Sequence, residues 1–514
     1  MANLATKETP ARVVCSPTKD ESFSSENGSG NSTITVDWDG PNDPTRPQNW
    51  SLVRKWTIVT TNSLATFMVS FSSSAFSGSL TQVQEEFKIS ADLALLGISL
   101  YVLGFAFGPM VWGPASELYG KKRPLWTGYV AFCALGVVVV DLVLLVSRIL
   151  EAIAGSSTFA IMTGMFVDFL KDPTSRGIAA AMFSMSVFCG PAAGPIVGSV
   201  VTAHLGWRWS AWITLICSVV FGTAAFLVTP ETSETTILQR RAQRLRKKAG
   251  DKVNVVCEAE QGDKPGLSAF AEKYLTKPLR MFALEPILSI LTVYMSFVYG
   301  IIYLTFELYP QAFVVVRGWS AVDASLSFFG ILGEALVACI VLGAHSIYHV
   351  GPKFAETQQH VPERRLPPMI LGSVLLPAEG IFWFSWTSPP DVPALAQVFS
   401  GVLIGSGSIL SFMSGILYLT EVYLAHANSA LAINNFIRSI FAAALPYLGK
   451  LLIVRMGINI GGSILGGHMC LLDAFSGHLV DIWQYCSWLV QICLSDIKSL
   501  PCRFSHPYYK AVFK

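Results

Sequence analysis

The chain has 514 residues, 52% of them hydrophobic and only 14% charged, with a mean hydropathy of +0.50. Soluble domains carry about 25% charged residues, so this composition argues against a soluble enzyme or binding module and describes an integral membrane protein that crosses the bilayer many times. The net charge of +2 gives no overall basicity of the kind that binds nucleic acid, and the ten cysteines, mostly isolated in apolar stretches and never in a CxxC pair, argue against a disulfide framework or a metal site.

The first fifty or so residues are polar and lack the short apolar core of a signal peptide, so residues 1–55 read as a disordered cytoplasmic tail. A spanning helix needs roughly 20 mainly apolar residues. Trp56–Gly78 and Ala91–Trp112 meet this length, followed by Pro124–Val146 and Ile149–Val167, which we divide near Asp141 because the combined run is too long for one crossing. Ala179–Val201 and Trp212–Val228 complete a first set of six, residues 56–228. The fifth carries Gly190, Pro191, Gly194, Pro195 and Gly198. Residues four apart stack on one helix face, so the three glycines make a ridge without side chains that a neighbouring helix can approach closely. The two prolines each remove a backbone donor and bend the helix beside it. From spacing alone the stretch is equally a plain packing seam.

Residues 229–285 form a polar linker with Arg240, Arg241, Arg244, Arg246, Lys247 and Lys248 in one cluster. A second set follows in residues 286–467: Pro286–Pro310, Leu326–Tyr348, Met369–Trp386, Leu395–Leu419 and Ala430–Val454. With the N-terminus inside, nineteen Lys and Arg fall in the inner connections and three (Lys88, Arg208, Arg317) in the outer ones, which orients the chain by the positive-inside rule. The sequons at Asn27, Asn31 and Asn49 then lie on the side where glycosylation does not occur. Beyond Gly467 the pattern changes. Residues 468–514 hold four cysteines, and the best apolar window, Leu479–Leu494, is interrupted by Asp481, Gln484 and Gln491, so no regular twelfth span is expected there.

Particular residues carry a family resemblance. Gly113-Pro-Ala-Ser-Glu-Leu-Tyr-Gly-Lys-Lys-Arg123 resembles the loop signature of the major facilitator superfamily, with Gly113, Glu117, Gly120, Lys121, Lys122 and Arg123 in its key places and Glu117-Leu118 where an Asp and a basic residue are usual. Gly190-x-x-x-Gly-Pro-x-x-Gly198 resembles the antiporter motif of that superfamily's drug:proton exchangers, and Arg148 with Gly155 resembles the motif that buries an arginine in the fourth span. The segment Asp37–Trp50, Glu285-Pro286, Tyr303–Pro310 and Arg365-Leu-Pro-Pro368 are similar to the fungal twelve-span drug:H+ antiporter branch. The resemblance implies an all-α integral membrane protein of the major facilitator fold, two pseudo-symmetric six-helix bundles around a central cavity, here with its last helix in question. It also implies that the Lys121–Arg123 loop is a cytoplasmic latch between the bundles; positive-inside anchoring explains the same charges.

Proton coupling needs a carboxyl whose charge responds to its surroundings. The candidates are Arg148 with Glu151, three apart on one helix, then Glu334 deep in the eighth span and Glu307, with Glu379 and Glu421 at less telling depths. Asn434, Asn435 and Arg438 are polar in mid-helix, either as interhelical hydrogen-bonding groups or as cavity lining. Tyr303 and Phe306 lead a set of aromatics (Phe105, Phe107, Tyr294, Phe297, Tyr299, Phe436) that can line a cavity for flat or cationic compounds. His345 and His349 have a metal-compatible spacing but no acidic or thiol partner close in sequence, and read as interface residues.

These features predict a monomeric, multi-pass plasma-membrane transporter, without cofactor or metal and not an enzyme. It would move small organic molecules (drug, polyamine or toxic metabolite) out of a fungal cell in exchange for protons, with the lipid bilayer and no nucleic acid as its other partner. A facilitative or uptake carrier, and a non-transporting product with an aberrant C-terminus, are the alternatives.

Overall fold

The computed structural model describes residues 33–138, 144–249, 254–256, 272, 276–352, 362–374, 377–423 and 427–497, with side chains to Leu471. Asp141, Asn27, Asn31, Lys252, Lys264, Lys273, Lys353 and residues 498–514 lie outside the described residues.

The first span is Leu52–Ala75, capped by the Ser51 hydroxyl, which accepts from the Arg54 N–H. The second is Ala91–Tyr119 and the third Lys122–Val138. The fourth is Leu144–Phe169, and the fifth, Pro173–Leu205, starts with Asp172 as cap and a proline at its first position. Trp207–Val228 is the sixth. In the second half the spans are Pro286–Val316, Ala321–Val350, Leu366–Trp386 and Ala394–Tyr423. The helix Ala427–Ile497 breaks at Gly457, whose φ of 79° and ψ of 164° reverse the chain.

That break corrects the expectation of eleven helices. The eleventh span runs from Ala427 to the break, and a twelfth begins at Ile458, well before the interrupted window at Leu479–Leu494. Its first turns pack on the ninth span: Gly462 lies against Ser385, Gly466 against the Phe382 ring, and Trp386 Nε1 donates to Ser463 Oγ at 3.1 Å. Gly206, with φ 90° and ψ 160°, makes the same one-residue reversal between the fifth and sixth spans. The left-handed φ favours glycine at both places.

Helix contacts repeat with a shift of six. The first span packs on the fifth as the seventh does on the eleventh, the second on the fourth as the eighth on the tenth, and the third on the sixth as the ninth on the twelfth. The bundles meet along the second and eleventh spans and along the fifth and eighth. We call the side carrying Lys121–Arg123, Lys171 and Arg176 the basic face, and the opposite side the far face.

The expected disordered tail is ordered from Thr33 onward. Thr33–Thr35 pairs in parallel with Asn254–Val256, and Arg241 of the linker helix Glu234–Ala249 binds Asp39 and Asp43, the latter at 3.1 Å. Arg46 reaches Glu234 at 3.5 Å. Burial pushes the Asp43 carboxyl up, but hydrogen bonds from Thr45, the Asp39 N–H and Arg241 outweigh it and hold the group at about 2, against 3.8 when free. A depressed carboxylate stabilises the fold above its free value and ceases to as pH falls through its folded value. Backbone amides of residues 37–46, corrected for intrinsic exchange, should therefore be protected at pH 5 and lose protection between about pH 4 and pH 2, and Asp43→Asn should lack it throughout; protection unchanged at pH 2 would contradict this anchoring.

Candidate functional site

The glycine ridge of the fifth span lies on the first span. A Cβ at Gly190 would stand 2.5 Å from Ser70 Cβ, at Gly194 2.7 Å from the Ala75 backbone nitrogen, and at Gly198 2.3 Å from the Ala75 carbonyl oxygen. Pro195 cannot donate to the carbonyl of Pro191, one turn back, and the Ser74 hydroxyl donates to that carbonyl instead, at 2.7 Å. The ridge and the bend thus form a single contact inside the first bundle.

The same end of the first span holds Arg148. Its last turn leaves carbonyls without helical donors, and Arg148 Nη2 donates to Ser72 O at 2.9 Å and Ser73 O at 3.2 Å. A guanidinium here complements the negative end of the helix dipole. Nη1 lies 3.4 Å from Glu151 Oε2, Ser72 Oγ donates to Glu151 Oε1 at 2.8 Å, and the guanidinium sits 4.1 Å from the Tyr101 ring centre. Arg148 and Glu151 are both buried, and a small cavity of about 40 Å³ opens beside them between the third and sixth spans.

On the basic face, Gly120 turns the chain with φ 85°, and Glu231 at the end of the sixth span accepts the Lys121 N–H at 2.8 Å and pairs with Arg240 at 3.4 Å. Lys121 Nζ lies 2.7 Å from Asp168 Oδ2. Lys122 sits 5.1 Å from the Phe226 ring centre, while Glu117 and Arg123 are exposed and Gly113 is open to added volume. The Lys121–Asp168 ion pair of this loop therefore lies within the first bundle. Asp168 and Glu231, unsuspected from the sequence, are its main anchors.

Between the bundles lies a cavity of about 440 Å³. It reaches the basic face past Glu117 and Lys121, and its walls include Phe159, Phe183, Val187, Phe412, Asn434 and Arg438. Towards the far face it is closed. Asn435 Nδ2 donates to Phe105 O at 2.7 Å, a carbonyl that Pro109 leaves without its helical donor, and Lys450 pairs with Asp92 at 2.8 Å while the Tyr447 hydroxyl donates to the Asp92 carbonyl at 3.2 Å. Asn434 Nδ2 donates to Thr292 Oγ1 at 3.3 Å. Tyr303 and Phe306, expected in the cavity, are buried away from its walls, Tyr303 against Tyr299 and Ser73 of the first span and Phe306 stacked on Phe328 at 5.7 Å. Aromatic composition does not tell which way a ring points.

Arg438 is 8% exposed, with its guanidinium 4.5 Å from the Tyr299 ring centre and 4.4 Å from that of Phe412. One amino group donates to the Asn435 side-chain oxygen, and Nε has no hydrogen-bond partner among the described residues.

Glu334 is 1% exposed and fills the notch left by Gly405 of the tenth span, where a Cβ would collide with its carboxyl carbon at 1.4 Å. Among the described residues its Oε2 has no hydrogen-bond partner, and neither has the hydroxyl of Tyr309, which occupies the next notch along the same face, at Gly401. Glu307 is half-buried at the far end of the seventh span near Lys450. Glu379 is exposed, and Glu421 pairs with Arg365 at 2.9 Å. His345 and His349 stack with ring centres 5.3 Å apart, and His345 Nε2 contacts Arg364 O at 2.9 Å.

The solved structure of the proton:xylose symporter XylE bound to 6-bromo-6-deoxy-D-glucose superposes with a TM-score of 0.61 at 16% identity, covering 84% of this chain and 97% of that one, which is a likeness of fold. The citrinin biosynthesis cluster MFS transporter mrr1 of Monascus ruber is 42% identical over 437 residues, 84% of this chain and 87% of that protein. The ascochitine biosynthesis cluster MFS transporter of Didymella fabae is 40% identical over 84% of each chain, and the cercosporin MFS transporter CTB4 of Cercospora nicotianae 37% over the same shares. A family model described as Major Facilitator Superfamily matches residues 63–446. With two six-helix halves around a central cavity and relatives that are fungal transporters, the chain belongs to the major facilitator superfamily and is a transporter, not an enzyme.

Proposed function

We propose that the chain exports small organic metabolites across a plasma membrane in exchange for protons, with the basic face in the cytoplasm. The observation that carries the reading is the cavity between the bundles, open past Glu117 and Lys121 and closed beyond Asn435 and Asp92. By the positive-inside rule the open side is cytoplasmic, so a compound made in the cell has a route to the midplane site. The names of the relatives, two of them tied to biosynthesis clusters and one to cercosporin, support secondary metabolites as the substrate class.

For the coupling proton the best-placed group is Glu334. Its carboxyl is buried with no cation beside it among the described residues and with Oε2 unpartnered, a setting in which gain and loss of a proton carry a large energetic consequence. Tyr309, equally unpartnered in the adjoining notch, is the group to which Glu334 can hand a hydrogen bond when the helices move. Glu307, Arg148 and Glu151 have neighbouring charges in place already.

The test uses inside-out vesicles containing the full chain, with citrinin as the first probe. Uptake into acid-loaded vesicles should collapse when a protonophore abolishes the gradient, and Glu334→Gln should lose at least about tenfold of the gradient-driven component while keeping exchange of labelled for unlabelled probe. Uptake indifferent to the gradient would sink proton coupling and favour a facilitative carrier.

A further inference from the structure

We propose that Arg438 is an anion-recognition residue of the central cavity, and that the transported molecule is an aromatic compound carrying an acidic group. The inference rests on reading that cavity as the substrate site.

Four observations carry it. Arg438 lies on the cavity wall and is more than nine-tenths buried. It forms no salt bridge among the described residues, whereas Arg148, Arg365 and Arg241 each have a carboxylate partner. Its Nε, part of the planar fork that engages carboxylates two bonds at a time, is without a partner. The rings of Tyr299 and Phe412 flank the guanidinium and hold it in place. Ring faces and one amide oxygen do not neutralise a buried cation, and such a charge calls for a counter-ion. The cavity offers an obvious source, since a molecule entering from the basic face meets Arg438 after passing apolar and aromatic walls.

Those walls shape the rest of the ligand. Phe159, Phe183 and Phe412, with Val187 and Ile416, present ring faces and aliphatic surface suited to a flat apolar body. A cationic drug, by contrast, would bring a second positive charge towards Arg438. The proposed substrate is therefore an aromatic acid, its ring among the phenylalanines and its anion on the Arg438 fork.

Equilibrium binding to the purified full-length chain in nanodiscs tests this with three probes of one shape: 2-naphthoate, neutral 2-naphthamide and 2-naphthylmethylamine. The wild-type chain should prefer the carboxylate to the amide by about tenfold or more, the usual scale for a charge-assisted hydrogen bond, with the amine weakest. Arg438→Gln should bring the carboxylate-to-amide ratio close to one while amide binding persists, which certifies a folded cavity. Arg438→Lys, a point charge without the fork, should keep part of the preference. Equal binding of carboxylate and amide by the wild-type chain, or a preference for the amine, overturns the assignment of an anion to Arg438. Absence of binding by all three overturns the cavity as the ligand site.

Discussion

Gly194→Val is expected to abolish probe flux and to lower the apparent unfolding temperature of the detergent-solubilised chain, while the protein still inserts in the membrane. An added Cβ would sit 2.0 Å from Ser74 Oγ and 2.7 Å from the Ala75 backbone nitrogen. The serine hydroxyl can rotate, but the backbone of the first span cannot yield without moving its last turn. Overpacking of a close contact costs about 1–3 kcal/mol, and the displaced turn carries the Ser72 and Ser73 carbonyls that bind Arg148. The substitution therefore acts on the packing seam and on the buried charge together. Gly343→Ala is the control, because its position in the eighth span has open space where the methyl would go. Wild-type flux at normal surface levels in Gly194→Val would show that the ridge tolerates separation of the two helices and sets no limit on transport.

The contact at Gly194 was legible in the sequence because its information is local. Four-residue spacing of glycines names a helix face, and Pro195 names the carbonyl that loses its donor. Arg148 and Glu151 were legible for the same reason, being three residues apart on one helix. The positions of the spans followed from hydropathy and length. Contacts between distant parts of the chain were not available in this way. Nothing near Lys121 indicates that its partners are Asp168 and Glu231, and nothing near Glu334 indicates that Gly405 makes room for it. The twelfth span is hidden in the sequence because its start, at Ile458, follows the eleventh after a single glycine, so the two merge into one apolar run, with Asp481, Gln484 and Gln491 interrupting it further along. The direction of a side chain was the least legible property. Tyr303 and Phe306, expected in the cavity, are buried away from it, Tyr303 against Ser73 of the first span, whereas Asn434 and Asn435 line it.

The buried arginines Arg148 and Arg438 differ in a way that predicts different consequences of losing them. Arg438 has no carboxylate partner among the described residues, whereas Arg148 is surrounded by acceptors: Glu151, the Ser72 hydroxyl and the carbonyls of Ser72, Ser73 and Gly97. Arg148→Gln removes the cation and leaves Glu151 buried with Ser72 as its remaining donor, while the carbonyls ending the first span lose theirs. Breaking a buried ion pair from one side costs about 3–5 kcal/mol, enough to shorten the half-life of the solubilised chain severely at a fixed temperature. Arg148→Gln combined with Glu151→Gln should recover most of that loss, since two neutral amides can satisfy each other and the carbonyls without a stranded charge. Flux separates the roles. If the pair serves only the fold, the double variant regains proton-driven transport along with its stability. A cavity of about 40 Å³ lies beside the pair, and both side chains pack within the first bundle against Ser72, Gly97 and Tyr101. The expected result is therefore a stable double variant that regains gradient-driven movement, in keeping with Glu334 as the coupling group, and exchange of labelled for unlabelled probe without gradient-driven movement would give Arg148 and Glu151 a part in the coupling.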